Sequence, residues 1–305
     1  MGKLVSVIMP TYKRPYVVLA RAVKSVLGQT HSELELIIID DSPKEDPNRT
    51  EVEFEIKKNE DVRVKYIQHE YNQGACKARN TGIEKAKGEF IAFLDDDDEW
   101  LPNKLELQLK KFKDPEVGLV YCHSFTIVLE DNIEVDKKIR SKSRAGWVSD
   151  SLIVENFIGS TSFVLLRKQV LDDCGFFNVE IRSAQDYELW MRISKKYKVD
   201  FVGAPLVNYY VHSGERISTN VSNKIQGLES FNELNIECLK MYPKVLSIRK
   251  LKIIPYYAVR DGGKVAFLKW IEAVKIYPWH INAFKSIVKL ILILLKRKFV
   301  ILFQK

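Results

Sequence analysis

Three features of the sequence predict an α/β fold, with a mostly parallel central sheet flanked by helices and a helical C-terminal appendage. Short apolar runs rich in Val, Ile, Leu and Phe alternate with helical patterns through the first half of the chain. Polar residues of chemical interest gather just after those runs. From about Val221 onward only helical periodicity remains.

Residues 5–9, 34–39, 62–67 and 90–94 read as buried strands, because continuous apolar runs suit a parallel sheet covered on both faces. One helix between them carries Leu19, Val23, Val26 and Leu27 and stops at Gly28. Another runs from Gly74 through Ala75, Ala78 and Ile83 and stops at Gly88. Glycine just past the last periodic residue is a common C-terminal cap. Residues 117–121, 126–129, 162–166 and 199–202 read as further strands, with a helix around 187–197. The charged stretch 130–144 reads as a loop. The predicted division is an α/β domain over 1–220 and a helical region over 221–305.

The chain has 305 residues, 46% hydrophobic and 29% charged. That is enough for one large domain or a domain with an appendage. Cys76, Cys122, Cys174 and Cys238 lie far apart with no C-x-x-C pair, which points away from a disulfide framework or zinc site and toward a reducing cytosol. The opening residues run straight into the first strand and do not read as a secretory signal. Of the net charge of +8, six positive charges fall within residues 281–305, which hold no acid. That concentration speaks against a nucleic-acid surface spread over the protein.

In open parallel sheets, ligands bind beyond the carboxyl ends of the strands. There the sequence places Pro10-Thr11-Tyr12, then Asp40-Asp41-Ser42, then Gly74 at a helix start, then Asp95-Asp96-Asp97-Asp98. Four adjacent carboxylates need neutralising. All-oxygen ligands select a hard divalent cation, Mn²⁺ or Mg²⁺, shared with substrate phosphates. The plainer reading, that Asp97 and Asp98 cap a helix near Leu101, leaves Asp95 and Asp96 unexplained. Asp40 and Asp41 suit a turn as well as a ligand. Tyr12 could be a packed ring or a platform for a base. Lys77 and Arg79 lie one turn into the Gly74 helix, where a phosphate meets both dipole and side-chain charge, or where they simply face solvent.

The runs Val5-Ser6-Val7-Ile8-Met9-Pro10-Thr11-Tyr12, Leu36-Ile37-Ile38-Ile39-Asp40-Asp41-Ser42, Ala78-Arg79-Asn80-Thr81-Gly82-Ile83 and Gly88-Glu89-Phe90-Ile91-Ala92-Phe93-Leu94-Asp95-Asp96-Asp97-Asp98-Glu99-Trp100-Leu101 occur in that order. Together they closely resemble family 2 inverting glycosyltransferases, over roughly residues 4–215. The resemblance implies a GT-A fold and a nucleotide-sugar donor, with the product a bacterial surface polysaccharide. It implies that Pro10, Tyr12 and Asp40 hold the nucleoside, Asp40 reading the uracil edge in users of uridine nucleotides. Asp95 and Asp97 stand at the ends of the D-x-D signature. Asp97 would contact the metal, and Asp95 or Asp96 the ribose and metal shell.

The family's general base is an aspartate in a Glu-Asp pair opening a helix. Here Ser183-Ala184-Gln185-Asp186 matches, with Gln185 in place of the glutamate, and Asp186 becomes the expected base. From spacing alone, Ser183-x-x-Asp186 is also a capping box. Within Tyr209-Tyr210-Val211-His212-Ser213-Gly214-Glu215-Arg216, the resemblance implies that His212 approaches metal or diphosphate and Arg216 closes over the donor. The Q-x-x-R-W signature of processive synthases is missing, so one sugar per encounter is expected.

Residues 283–303 are apolar and basic, but the longest uncharged stretch is too short to span a bilayer. A helix lying on the inner face of an anionic membrane fits, and a lipid-linked acceptor would explain it. The alternative is packing on its own domain or on a second subunit, making an oligomer. Two rival functions are a nucleotidyltransferase, which would show a glycine-rich loop after the first strand, and a non-catalytic binding protein, supported only by Gln185.

Overall fold

A computed structural model describes residues 3–131, 133–212, 220–278 and 280–303, without the side chains of residues 212 and 296–303. Its first two strands, β1 (Val5–Thr11) and β2 (Leu34–Asp40), are buried almost throughout, as continuous apolar runs require. β3 (Val64–Gln68) and β4 (Phe90–Phe93) complete a parallel set in the spatial order β3-β2-β1-β4. Three helices connect them: α1 (Tyr16–Leu27), α2 (Pro47–Lys57) and α3 (Ala75–Lys85). All four carboxyl ends therefore open onto one edge of the sheet.

Beyond β4 come the short β5 (Glu99–Trp100), α4 (Lys104–Leu109), β6 (Val117–Glu130), β7 (Ile133–Arg140) and α5 (Ser149–Leu152). They are followed by β8 (Val164–Arg167), α6 (Lys168–Cys174), α7 (Gln185–Ser194) and β9 (Lys198–His212). The sheet continues β4-β8-β6-β9-β5, with β7 on β6. β8 is antiparallel to both β4 and β6, whereas β9 runs parallel to β6.

Several details differ from the sequence reading. Residues 117–121 and 126–129 belong to one strand, β6, bent by register shifts against β9. The stretch read as a loop at 130–144 contains β7, which pairs with β6 from Ser124–Arg140 to Glu130–Ile133. Its charged residues hid it: β7 is an edge strand exposed along most of its length, so it lacks a buried face to set a period. The helix expected near Leu101 starts at Lys104, with Asn103 at its cap position rather than Asp97 or Asp98.

By contact density the chain forms two units, residues 1–179 with 186–213, and residues 180–185 with 214–305. The first has a core built from β1, β2, β4, β6 and α1, including Val7, Leu36, Ile38, Ala92 and Val120. The second consists of α8 (Val221–Leu234), α9 (Ile236–Lys240), α10 (Pro243–Arg260), α11 (Gly263–Ile276) and α12 (Ile281–Phe303). Its core includes Ile225, Ile254, Ala258, Ala266 and Leu290.

Within the second unit, α8 grips the earlier segment 180–185 by its backbone. The Gln226 side-chain amide donates to the Glu180 carbonyl at 2.9 Å and accepts from the Arg182 N–H at 2.9 Å. Next to it, Gly227 lies so close that a Cβ would stand 2.0 Å from the Ser183 carbonyl oxygen. Only glycine permits that approach.

Candidate active site at the strand ends

The residues expected to hold a nucleoside lie at adjacent strand ends. Pro10 is half-buried near the end of β1, and Tyr12, just past it, is 46% exposed. Asp40 ends β2 and is buried, accepting from the Ser42 N–H at 2.9 Å and from the Tyr66 hydroxyl. Burial and the Asp40 carboxylate together push the Tyr66 hydroxyl's pKa up.

Asp41 has a different task. It accepts from the Gln73 and Gly74 N–H groups at 2.9 and 2.7 Å and from His69 Nδ1 at 2.7 Å. It thereby fixes the loop that launches α3, where Gly74 takes a φ of +86°. From α3, Arg79 pairs with Asp95 at 2.6 Å, its Nε buried without a hydrogen-bond partner, while Lys77, two residues earlier, is half-buried.

The four aspartates alternate. Asp96 and Asp98 are 6% and 0% exposed and bond inward. Asp96 accepts from the Thr11 hydroxyl at 2.7 Å and pairs with Arg14 at 2.8 Å. Asp98 accepts from the Ser162 hydroxyl at 2.6 Å and from the Tyr210 N–H at 3.2 Å. Burial raises the pKa of both carboxyls, that of Asp98 strongly. The side chains of Asp95 and Asp97 are 28% and 21% exposed.

Among the described residues, no three His, Cys, Asp or Glu side chains converge on a ready-made metal cage. The partly exposed Asp95 and Asp97 nevertheless suit a hard cation that takes its remaining oxygens from a diphosphate and water. The residues fit the group.

Asp186 stands in the first turn of α7, just after Ala184 at a φ of +59°. It has passed the position a cap would take, and its Oδ1 accepts the N–H of Tyr187 at 2.7 Å. Burial pushes its carboxyl up to about 6, with the charge of Asp95 adding to the rise and the Tyr187 N–H, Arg79 and Arg140 opposing it. The fold thus brings the expected base within the electrostatic field of the acid cluster. Gln185 donates to the Ile181 carbonyl at 3.1 Å.

His212 is the last residue of β9, and its side chain is outside the described part; Arg216 lies wholly outside the described residues.

Three arginines of this site were not singled out from the sequence. Arg14 bridges Asp96 and Asp97, the second at 3.2 Å. Arg21 donates to the Asp97 carbonyl at 2.6 Å and lies 3.9 Å from the centre of the Tyr210 ring. Arg140, on β7, donates to the carbonyls of Ile158 and Asn156 at 3.0 and 2.9 Å. Gly159 (φ +94°) leaves it room, since a Cβ there would stand 2.3 Å from Arg140 Nη1. Each contact spans many residues of sequence, so spacing carries no trace of it. The one local hint is that Arg14 follows Tyr12 in the same loop.

A parallel α/β edge that gathers an aromatic ring, buried acids at strand ends, the partly exposed Asp95 and Asp97 and a nearby carboxyl of raised pKa fits a sugar-transferring enzyme of the GT-A kind. Residues 6–178 match the family described as Glycosyl transferase family 2, and the chain belongs to that family. It is 31% identical over 218 residues to UDP-Glc:alpha-D-GlcNAc-diphosphoundecaprenol beta-1,3-glucosyltransferase WfgD of Escherichia coli, covering 71% of this chain and 80% of that one. It is 33% identical over 195 residues to the putative teichuronic acid biosynthesis glycosyltransferase TuaG of Bacillus subtilis, covering 63% of this chain and 73% of the other. Among solved structures, S. aureus TarS 1-349 in complex with UDP-GlcNAc superimposes with a TM-score of 0.61 at 18% identity, over 90% of this chain and 80% of that one. The chain is a glycosyltransferase with the fold of TarS.

Proposed function

We propose that the protein is an inverting, metal-dependent glycosyltransferase that moves a hexosyl or N-acetylhexosaminyl group from a UDP-sugar to a hydroxyl of a glycan or lipid-linked acceptor, in surface polysaccharide synthesis. The observation that carries this is the alternation of the aspartates, with Asp95 and Asp97 toward solvent and Asp96 and Asp98 inward, beside a carboxyl of raised pKa at Asp186. The names of its relatives, with UDP-glucose as donor in one and teichuronic acid as product in another, support the same reading.

In this reading Pro10, Tyr12 and Asp40 hold the nucleoside, with Lys77 and Arg79 near the diphosphate. Asp97, with Asp95, holds a divalent cation; Asp96 supports the shell from within. When bound, Mn²⁺ or Mg²⁺ supplies Lewis-acid neutralisation of the departing diphosphate. Asp186 takes the proton of the acceptor hydroxyl as that oxygen attacks the anomeric carbon from the face opposite the leaving group. His212 and Arg216 join at the donor's phosphates. Residues 1–220 act as the catalytic domain.

The exposed side of α12 supports attachment to a membrane surface. Ile281, Phe284, Val288, Ile291, Leu292 and Leu295 are exposed together with Lys285 and Lys289, while Ala283 and Leu290 are buried. No helix of the described residues is long and apolar enough to cross a membrane. An anionic lipid surface matches this mixture of apolar and basic groups.

The test is binding and slow hydrolysis of UDP-, GDP- and dTDP-sugars, with Mn²⁺ and with chelator. Metal-dependent release of one nucleotide establishes the donor class. If no donor binds in the presence of metal, the protein is not this enzyme, and a binding role on the same fold takes its place.

A further inference from the structure

Arg14 lies on the loop after β1, the loop that also carries Tyr12. Its Nη2 is 2.8 Å from Asp96 and 3.2 Å from Asp97, and its Nε donates to Asp96 at 3.0 Å. The guanidinium therefore sits on Asp97, one of the two carboxylates proposed to hold a divalent cation, and on its inward-bonding neighbour Asp96. Its side chain is 30% exposed, so a ligand arriving from solvent can reach it. Lys13 before it holds a φ of +51°, with its N–H donated to Ser42 Oγ at 2.8 Å, and Pro15 after it fixes the start of α1. The backbone is pinned on both sides, and the side chain reaches the carboxylates from a position partly open to solvent. If it leaves, Asp96 keeps the Thr11 hydroxyl at 2.7 Å and is not orphaned.

We propose that Arg14 makes cation binding conditional on the nucleotide, bridging Asp96 and Asp97 in the empty site and turning to the diphosphate when donor arrives. This rests on the reading of Asp95 and Asp97 as cation ligands above. A guanidinium on the cluster repels an incoming cation and occupies its oxygens, so the cation alone binds weakly. A diphosphate offers the planar fork a better partner, through two parallel N–H···O bonds. Drawing Arg14 away takes its positive charge off Asp96 and Asp97 and adds that charge to the phosphates at the same moment. The two ligands then favour each other, and by linkage each raises the other's affinity by the same factor.

The test is Mn²⁺ binding to the full chain by titration calorimetry and by the electron-paramagnetic-resonance signal of free Mn²⁺, with and without saturating UDP. In the wild type, UDP is expected to tighten Mn²⁺ at least about tenfold. Arg14→Met is expected to bind Mn²⁺ alone several-fold more tightly than wild type and to bind UDP more weakly, so the coupling factor falls at least about fivefold. A merely structural Arg14 gives the opposite sign: loss of the side chain disorders the cluster and weakens Mn²⁺ alone. Thermal unfolding checks that the variant is folded, and Arg14→Gln is the second uncharged variant with the same expectation. A wild-type coupling factor in either folded variant overturns the proposal and leaves the enzyme reading standing. Failure of the wild type to bind Mn²⁺ even with UDP overturns the reading of Asp95 and Asp97 as cation ligands, on which this proposal rests.

Discussion

Arg79 is committed to Asp95 at 2.6 Å and lends Asp186 only a distant positive field. Burial therefore prevails at Asp186 and its carboxyl rises to about 6. A carboxylate of that basicity is suited to deprotonating a sugar hydroxyl near neutral pH, because it is ionised yet a better base than an exposed aspartate.

Replacing Asp186 with Asn is expected to lower transfer by ~10²–10⁴ while leaving UDP binding intact. In the wild type kcat/KM should fall as pH drops through about 6, as the base takes up its proton. Initial rates from pH 5 to 8 with wild type, and donor binding with Asp186→Asn, check both. Full transfer by Asp186→Asn rules the residue out as base.

The same shift has a stability consequence. A carboxyl whose pKa is raised by folding stabilises the protein fully below the unfolded value and loses that contribution as pH rises through the folded one. Asp186→Asn should thus melt higher than wild type at pH 8, and the difference should vanish near pH 4. Thermal unfolding at the two pH values decides it.

Asp97→Ala should abolish the metal-dependent part of donor hydrolysis, and chelator should do the same to wild type, with Mn²⁺ or Mg²⁺ restoring it. Asp98→Ala acts by another route. It removes the acceptor of the Ser162 hydroxyl and the Tyr210 N–H in the interior, and should lower the melting temperature where Asp97→Ala barely changes it.

Lys104 is fully buried, its Nζ donated to Gln108 Oε1 at 2.8 Å and set 3.9 Å from the Trp100 ring. Burial lowers its pKa to about 8. The unfolded chain holds this proton up to higher pH, so wild type should gain stability between about pH 8 and pH 10 relative to Lys104→Met. Parallel denaturation curves for the two proteins across that window test the sign.

Vesicles containing anionic lipid should bind the full chain and release it as salt rises from ~0.1 to ~1 M. Reversing Lys285 and Lys289 to Glu should weaken binding by about tenfold or more. Equal binding to neutral vesicles would point to the apolar side of α12 alone.

The parallel strands and the acid cluster were legible because they are local. β1, β2 and β4 announce themselves as apolar runs, and Asp95–Asp98 as an excess of charge that one cap cannot explain. What decides the chemistry was not local. The division of labour between Asp40 and Asp41 depends on Tyr66 and on the loop at Gln73 and Gly74, and neighbouring identical residues give no sign of which faces where. Arg14 and Arg140 acquire meaning only through contacts across the fold, and β7 escaped notice because an exposed edge strand has no buried face to impose a pattern.

Residues 180–185 are held by Gln226 and Gly227, which leave the ribosome some forty positions later. During synthesis that short segment must wait for α8 before its backbone finds its partners. Asp186 is the very next residue. A shortened chain ending near residue 213 would contain every described strand of the sheet and still leave residues 180–185 without these partners. The order of manufacture thus places a late step, helix α8, over an early one, and the backbone of 180–185 is expected to settle only when α8 has been made.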